Sequence, residues 1–208
     1  SANEILNQVY SVPNAESITN LVFMGMGEPL NNYDNVMKAI ELLTADYGLA
    51  WSPKRITLST IGVIPNIRRF LAESKCHLAI SLHSPVSSQR ETLMPIEKTF
   101  KAADIIELLR EHDWSHQRRL SFEYIMFDGL NDSLLYAREL SRLLAGLDCR
   151  VNLIRFHKIP DSDLSPSTEE TMVRFRDFLT AKGFTCTIRA SRGEDIYAAC
   201  GMLSTAKI

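Results

Sequence analysis

The sequence predicts an α/β fold, a partial (βα)6 TIM-like barrel of parallel strands with outer helices, carried by a single domain over residues 1–208. Three observations point there. Short β-rich runs alternate along the whole chain with helical patterns of about 10 to 15 residues, which implies a parallel sheet with helical crossovers. Polar residues recur where those strands end: Glu28, Ser59 with Thr60, Ser81 with His83, and His157. In a barrel all such ends share one mouth, whereas an open doubly wound sheet collects them only at its switch point. Finally, a chain of 208 residues buries roughly 70% of its unfolded surface and folds without a disulfide or metal staple.

The elements follow in order. "SANEILNQVY" is a helix with Ile5, Leu6 and Val9 as its apolar stripe. "NLVFMGMG" is the first strand, bounded by its glycines. "NVMKAIELLTADYG" places Val36, Ile40 and Leu43 on one helical face, with Gly48 as its stop. "RITLST" is the second strand, with helix "IPNIRRFLAES"; "HLAISLH" is the third, with the helix around "ADIIELLREH". "LSFEYIMF" precedes "SLLYARELSRLLAGL", and "VNLIRF" precedes "TEETMVRFRDFLTAKG", again closed by glycine. "TCTIRA" is a sixth strand leading into a short last helix, "EDIYAACGML", and "PDSDLSPST" is a polar loop. An alternating α/β domain normally opens on a strand, so a chain opening on a helix reads as the remainder of a longer protein.

Composition narrows the function classes. Lys plus Arg is 23 against 25 Asp plus Glu, a net charge of −2. That total does not advertise nucleic acid, although a local basic face can hide in the average. There is no apolar run of about 18 residues to span a membrane. No secretory leader opens the chain either, and a cytoplasmic location is expected. The cysteines, at 76, 149, 186 and 200, form no CxxC pair and no zinc spacing. Thiols in that number without a leader fit a reducing compartment.

"LVFMGMGEPL" carries the first candidate site. It is not a GxGxxG dinucleotide turn: Leu30 stands where the third glycine belongs, and Pro29 lacks a backbone donor. Gly27 lets a ligand approach the main chain, and Glu28 offers a carboxylate to a cation such as an ammonium group. The bland alternative is a tight turn with a solvated acid. Ser59 and Thr60 suit a helix N-cap equally well, and a histidine at a strand end, His83 or His157, is often structural; their force comes from the ends taken together. In "RASRGEDIYAACGML", Arg189 and Arg192 could activate Cys200 if they lie close, against the usual fate of a buried inert thiol. Cys76, Cys149 and Cys186 are assigned to packing or surface.

The motifs "GMGEPLNNYDNV", "ITLSTIG", "LAISLHSP", "YIMFDGLNDS", "VNLIRF" and "IRASRGEDIYAACG" occur in order and at fitting intervals. Together they closely resemble the radical S-adenosylmethionine RNA methyltransferases of the RlmN/Cfr type. The resemblance implies a partial barrel fold, with the first strand and the CxxxCxxC cluster loop lying before this chain. It implies S-adenosylmethionine and a 4Fe–4S cluster as cofactors, the cluster's ligand cysteines not being in this chain. Gly27, Glu28, Ser59, Ser81, Leu82, His83 and His157 match the family's cofactor contacts, with His157 where the family usually has asparagine. Cys200 matches the catalytic cysteine that carries the methyl group, and Met202 replaces a usual glutamine. The implied reaction delivers a methyl-derived carbon to carbon 2 of an adenosine in large-subunit ribosomal RNA and in tRNA. An electron donor such as flavodoxin is implied as a partner, and carbon 8 is the alternative of the resistance branch. Without a cluster loop the chain alone is expected to be inactive. Two rivals remain from other classes: a non-catalytic nucleotide- or RNA-binding barrel, and a barrel lyase or aldolase. The second wants a strand lysine or clustered metal ligands, and neither is visible.

Overall fold

The computed structural model describes residues 1–114, 118–158 and 162–190. The strands are β1 (Leu21–Phe23), β2 (Ile56–Thr60), β3 (His77–Ser81), β4 (Leu120–Met126), β5 (Arg150–Arg155) and β6 (Thr185–Ile188). The helices are α1 (Ala2–Tyr10), α2 (Tyr33–Thr44), α3 (Ile64–Glu73), α4 (Ser87–Leu93), α5 (Ala102–Arg110), α6 (Leu134–Leu143) and α7 (Glu169–Ala181). All six strands form one sheet in the order β1-β2-β3-β4-β5-β6, and every neighbouring pair is parallel. Spatial order equals chain order, so the described strands contain no switch point, and a doubly wound sheet needs one. β1 and β6 are not paired with each other, yet just beyond them Arg189 Nη1 comes within 3.4 Å of Met24 Sδ. The sheet therefore curls until its two edges meet through side chains: a partial barrel, as the sequence predicts.

The helix-facing side carries the packing. Ile40, Leu43, Ile67, Phe70, Ile105, Leu109, Leu140, Phe175 and Leu179 join Leu58, Leu78, Ile80, Phe122, Tyr124 and Leu153 in one buried cluster. β3 and β4 are buried along nearly their whole length, the mark of strands covered on both faces. Among the described residues no helix is long and apolar enough to cross a membrane.

Three details depart from the sequence reading. β1 pairs only through Leu21–Phe23, and the glycine-rich residues after it leave the ladder. α2 ends at Thr44, four residues before Gly48, because Ala45 turns extended while its N–H still bonds Glu41 O. Gly48 instead closes the turn that follows, where a Cβ would lie 1.9 Å from the carbonyl oxygen of Leu42. The short helix α4 was not anticipated: "SSQRETL" has no apolar stripe, and its single buried residue is Arg90. At α7 the glycine stop holds. Gly183 adopts φ +89°, and Phe184 N–H bonds Leu179 O at 3.1 Å, closing the helix as a left-handed C-cap does.

Candidate functional site

Because the strands run parallel, their C-terminal ends open on one side, and there a cavity of about 220 Å³ forms. It gathers Gly27 and Glu28 after β1, Ser59 and Thr60 of β2, Ser81 and His83 from β3, Glu123 of β4 and Arg189 after β6. Most of the predicted strand-end residues thus converge. Leu82 does not line the cavity; its side chain is buried in the core and its N–H bonds Glu123 O at 3.0 Å. His157 lies half-buried beyond β5 and is not among the described residues lining the cavity. Cys200, with Arg192, Met202 and the last predicted helix, lies outside the described residues.

Glu28 combines both roles considered for it. Its Oε1 accepts from Leu30 N–H at 3.0 Å, capping the turn Pro29–Asn32. Its Oε2 accepts from Ile61 N–H at 2.9 Å, tying the end of β1 to the end of β2. A carboxylate has about four acceptor sites, so two backbone bonds leave capacity facing the cavity. Gly27 supplies the turn with φ +83°, and the space a Cβ would fill there is open. Thr60 is the structural hydroxyl: its Oγ1 accepts from Gly62 N–H at 3.1 Å. Ser59 is left to face the cavity.

His83 is locked. Its φ is +57°, left-handed backbone for a non-glycine residue. Its Nδ1 accepts from Ile125 N–H at 3.0 Å, and Asn131 Nδ2 donates to its carbonyl at 2.8 Å. With Nδ1 an acceptor, the neutral ring carries its proton on Nε2, and one donor remains. Burial, and then the charge of Arg90, push its pKa down to about 4, so the ring is neutral near pH 7.

Two polar constellations escaped the sequence. The first is Arg90, fully buried. Its Nε donates to Leu82 O at 3.1 Å, and its Nη2 to Ile61 O at 2.8 Å and Ser81 O at 3.2 Å. Nη1 pairs with buried Glu97, which also accepts from Ala102 N–H at 2.9 Å and Ser87 Oγ–H at 2.7 Å. One guanidinium fork thus fixes the ends of β2 and β3 that present Ser59, Ser81 and His83. The second is a polar row: Ser81, Glu123, Asn152 and Thr187 are successive register partners across β3 to β6. Asn152 Nδ2 donates to Glu123 Oε1 at 2.7 Å, and Thr187 Oγ1 to Asn152 Oδ1 at 2.8 Å. Arg189 Nη1 reaches Glu123 Oε2 at 3.4 Å, so Arg189 is engaged inside the cavity. The signal for the row was a glutamate inside the otherwise apolar run "LSFEYIMF".

Residues 1–138 match the Radical SAM superfamily. The chain belongs to that superfamily. It is 63% identical over 207 residues to a probable dual-specificity RNA methyltransferase RlmN of Phocaeicola vulgatus, covering 100% of this chain and 59% of that protein. The dual-specificity RNA methyltransferase RlmN of Syntrophus aciditrophicus is 45% identical over 195 residues, covering 94% of this chain and 56% of that protein. A crystal structure of a radical SAM methyltransferase from Sphaerobacter thermophilus superposes with a TM-score of 0.89 at 38% identity, over 97% of this chain and 60% of that one. A domain of a pyruvate-formate lyase-activating enzyme shares the fold, with a TM-score of 0.63 at 16% identity. The chain spans about 60% of the length of the curated relatives it matches.

Radical SAM membership brings S-adenosylmethionine and a 4Fe–4S cluster as cofactors, and the described residues fit them unequally. Among them no three His, Cys, Asp or Glu side chains gather as metal ligands. Cys76 and Cys149 are buried, and burial raises the thiol pKa of Cys76 and lifts those of Cys149 and Cys186 to about 12, the reverse of what a thiolate ligand needs. These residues do not hold a cluster. The cavity does fit the other cofactor: carboxylate capacity at Glu28, serine hydroxyls and a neutral imidazole donor suit an amino-acid ammonium and ribose hydroxyls.

Proposed function

We propose that the protein carrying this chain is an RNA methyltransferase that moves a methyl-derived carbon from S-adenosylmethionine, by way of a methyl group on Cys200, to carbon 2 of an adenosine in large-subunit ribosomal RNA and in tRNA. Residues 1–208 are its single radical SAM core domain, and an electron donor such as flavodoxin is its redox partner. The observation that carries the reading is the convergence of Gly27, Glu28, Ser59, Ser81 and His83 on one cavity at the strand ends. The similarity to relatives named as RNA methyltransferases supports the substrate class.

The division of labour is physical. Carbon 2 of adenine is a poor nucleophile, so polar methyl transfer fails, and the bound cofactors supply one-electron chemistry instead. The chain's own residues bind and orient. Glu28 takes the ammonium end with the capacity its backbone bonds leave. Ser59, Ser81 and the His83 Nε2–H offer hydrogen bonds to polar oxygens, with His157 a further contact. Arg90 holds the strand ends in register, so that these donors need no reorganisation when the ligand arrives.

The test is nucleoside analysis of ribosomal RNA and tRNA incubated with the full-length protein, S-adenosylmethionine and a reductant. The reading predicts 2-methyladenosine with wild type and none with Cys200→Ala. Product at carbon 8 would move the protein to the other branch, and wild-type activity in Cys200→Ala would overturn the methyl-carrier role.

A further inference from the structure

The opposite end of the sheet, where the strands begin, carries a second cavity, of about 350 Å³. Lys54 reaches it from the turn before β2, Arg118 and Arg119 from the residues before β4, and Arg150 from the first position of β5. His77, the first residue of β3, lies among them, and buried Leu120 and Cys149 form its apolar part. Lys54, Arg119 and Arg150 are exposed. One carboxylate, Asp148, lines the same cavity. Among the described residues none of the four cations has an ion pair, and what sets them apart from other unpaired cations such as Arg55 and Arg138 is that all four line one cavity. Arg118 is anchored by its bond to Leu71 O at 3.1 Å.

Their charges bear on the groups they surround, after burial. Burial lowers the His77 pKa, and the charges of Arg119, Lys54, Arg118 and Arg150 lower it further. Burial and then Arg150 lower that of Arg119. In a chain of net charge −2, four cations gathered around the single carboxylate of Asp148 leave a net positive charge at one end of the sheet that favours an anion from outside. Three are arginines, whose planar forks match phosphate oxygens two at a time.

We infer that this strand-start face is a second RNA contact, holding the phosphate backbone of the substrate RNA through Lys54, Arg118, Arg119 and Arg150. The inference rests on the RNA methyltransferase reading. The face lies at the far end of the strands from the candidate cofactor cavity, so it holds RNA away from the target adenosine. Contacts of this kind fix position and orientation without reading sequence.

The experiment measures affinity of the full-length protein for a ribosomal RNA fragment as a function of salt. Each phosphate contact contributes about 0.7 to 0.9 to the slope of log K against log salt. Arg119→Ala with Arg150→Ala should therefore lower the slope by about 1.4 to 1.8 and weaken binding at 0.1 M salt about ten-fold or more. Lys98→Ala with Arg142→Ala, the same charge removed from exposed positions elsewhere, should leave the slope within about 0.3 of wild type. Equal slopes for the two double variants would overturn the inference, as would wild type binding heparin as tightly as RNA. If the Arg119/Arg150 variant fails to fold, Lys54→Ala, on an exposed turn, gives the same reading at about half the size. Methyl transfer measured on the same preparations separates the two readings. Active protein with an unchanged slope in the patch variant sinks the second contact alone. Inactive protein with a lowered slope sinks the reaction and keeps the contact.

Discussion

At the scale of single residues, the candidate site was legible where a polar side chain interrupts an apolar strand at its end. Glu28, Ser59, Ser81 and His83 were found this way, because apolar packing does not ask for them there, although Glu28 and His83 also bind local backbone. Arg90, buried, and Asn152, half-buried, were not found, because polar residues engaged with backbone or with one another look in sequence like surface ones. His157, also at a strand end, stands half-buried beyond β5 and outside the described lining of that cavity, so its proposed contact lies at the cavity's margin rather than within it. His83 gives the residue-scale prediction. Its folded pKa of about 4 lies below the ordinary histidine value of 6.5, so the unfolded chain binds more protons between those values. Its contribution is then fully present above about pH 6.5 and is lost as pH falls toward 4. The loss is on the order of 2–3 kcal/mol. His83→Asn keeps a residue tolerant of left-handed backbone and should flatten that part of the stability curve. Urea unfolding of both proteins at pH 7 and pH 4.5 measures it, and equal pH dependence would contradict the assignment.

At the scale of elements, period and punctuation were enough for the six strands and for α2, α3, α5, α6 and α7. They failed at α4, whose seven residues have no apolar stripe and are tied down by Arg90 rather than by hydrophobic burial. They misread Gly48 as well, since a glycine near a helix end serves the next turn as readily as the helix stop. The clamp joining α4 to β2 and β3 carries the element-scale prediction. Arg90→Met leaves Glu97 buried without its charge partner, a loss of about 3–5 kcal/mol. Adding Glu97→Leu removes the orphaned charge and should recover much of the stability, while the freed carbonyls of Ile61, Ser81 and Leu82 still loosen the cavity wall. Chemical denaturation of the single and double variants tests the pair. A double variant no more stable than the single would place the cost in the carbonyl contacts instead.

At the scale of the whole molecule, one topological fact organises the account. A parallel sheet whose strand order equals its chain order sends every strand end to one side and every strand start to the other. The first side collects Glu28, Ser59, Ser81 and His83, and the second collects Lys54, Arg118, Arg119 and Arg150. The sequence announced the first gathering through its motifs. It hid the second in a net charge of −2, because cations far apart in the chain become neighbours only once the sheet is built. The central claim is that the strand-end cavity receives the amino-acid end of S-adenosylmethionine. The most direct measurement is calorimetric titration of S-adenosylmethionine into the cluster-loaded full-length protein, comparing wild type with Glu28→Gln and Ser59→Ala. A lost charge-assisted contact is worth about 1.5–3 kcal/mol, so Glu28→Gln should raise Kd by about ten-fold or more, and Ser59→Ala by a smaller factor. Wild-type affinity in both variants would put the cofactor elsewhere and contradict the account.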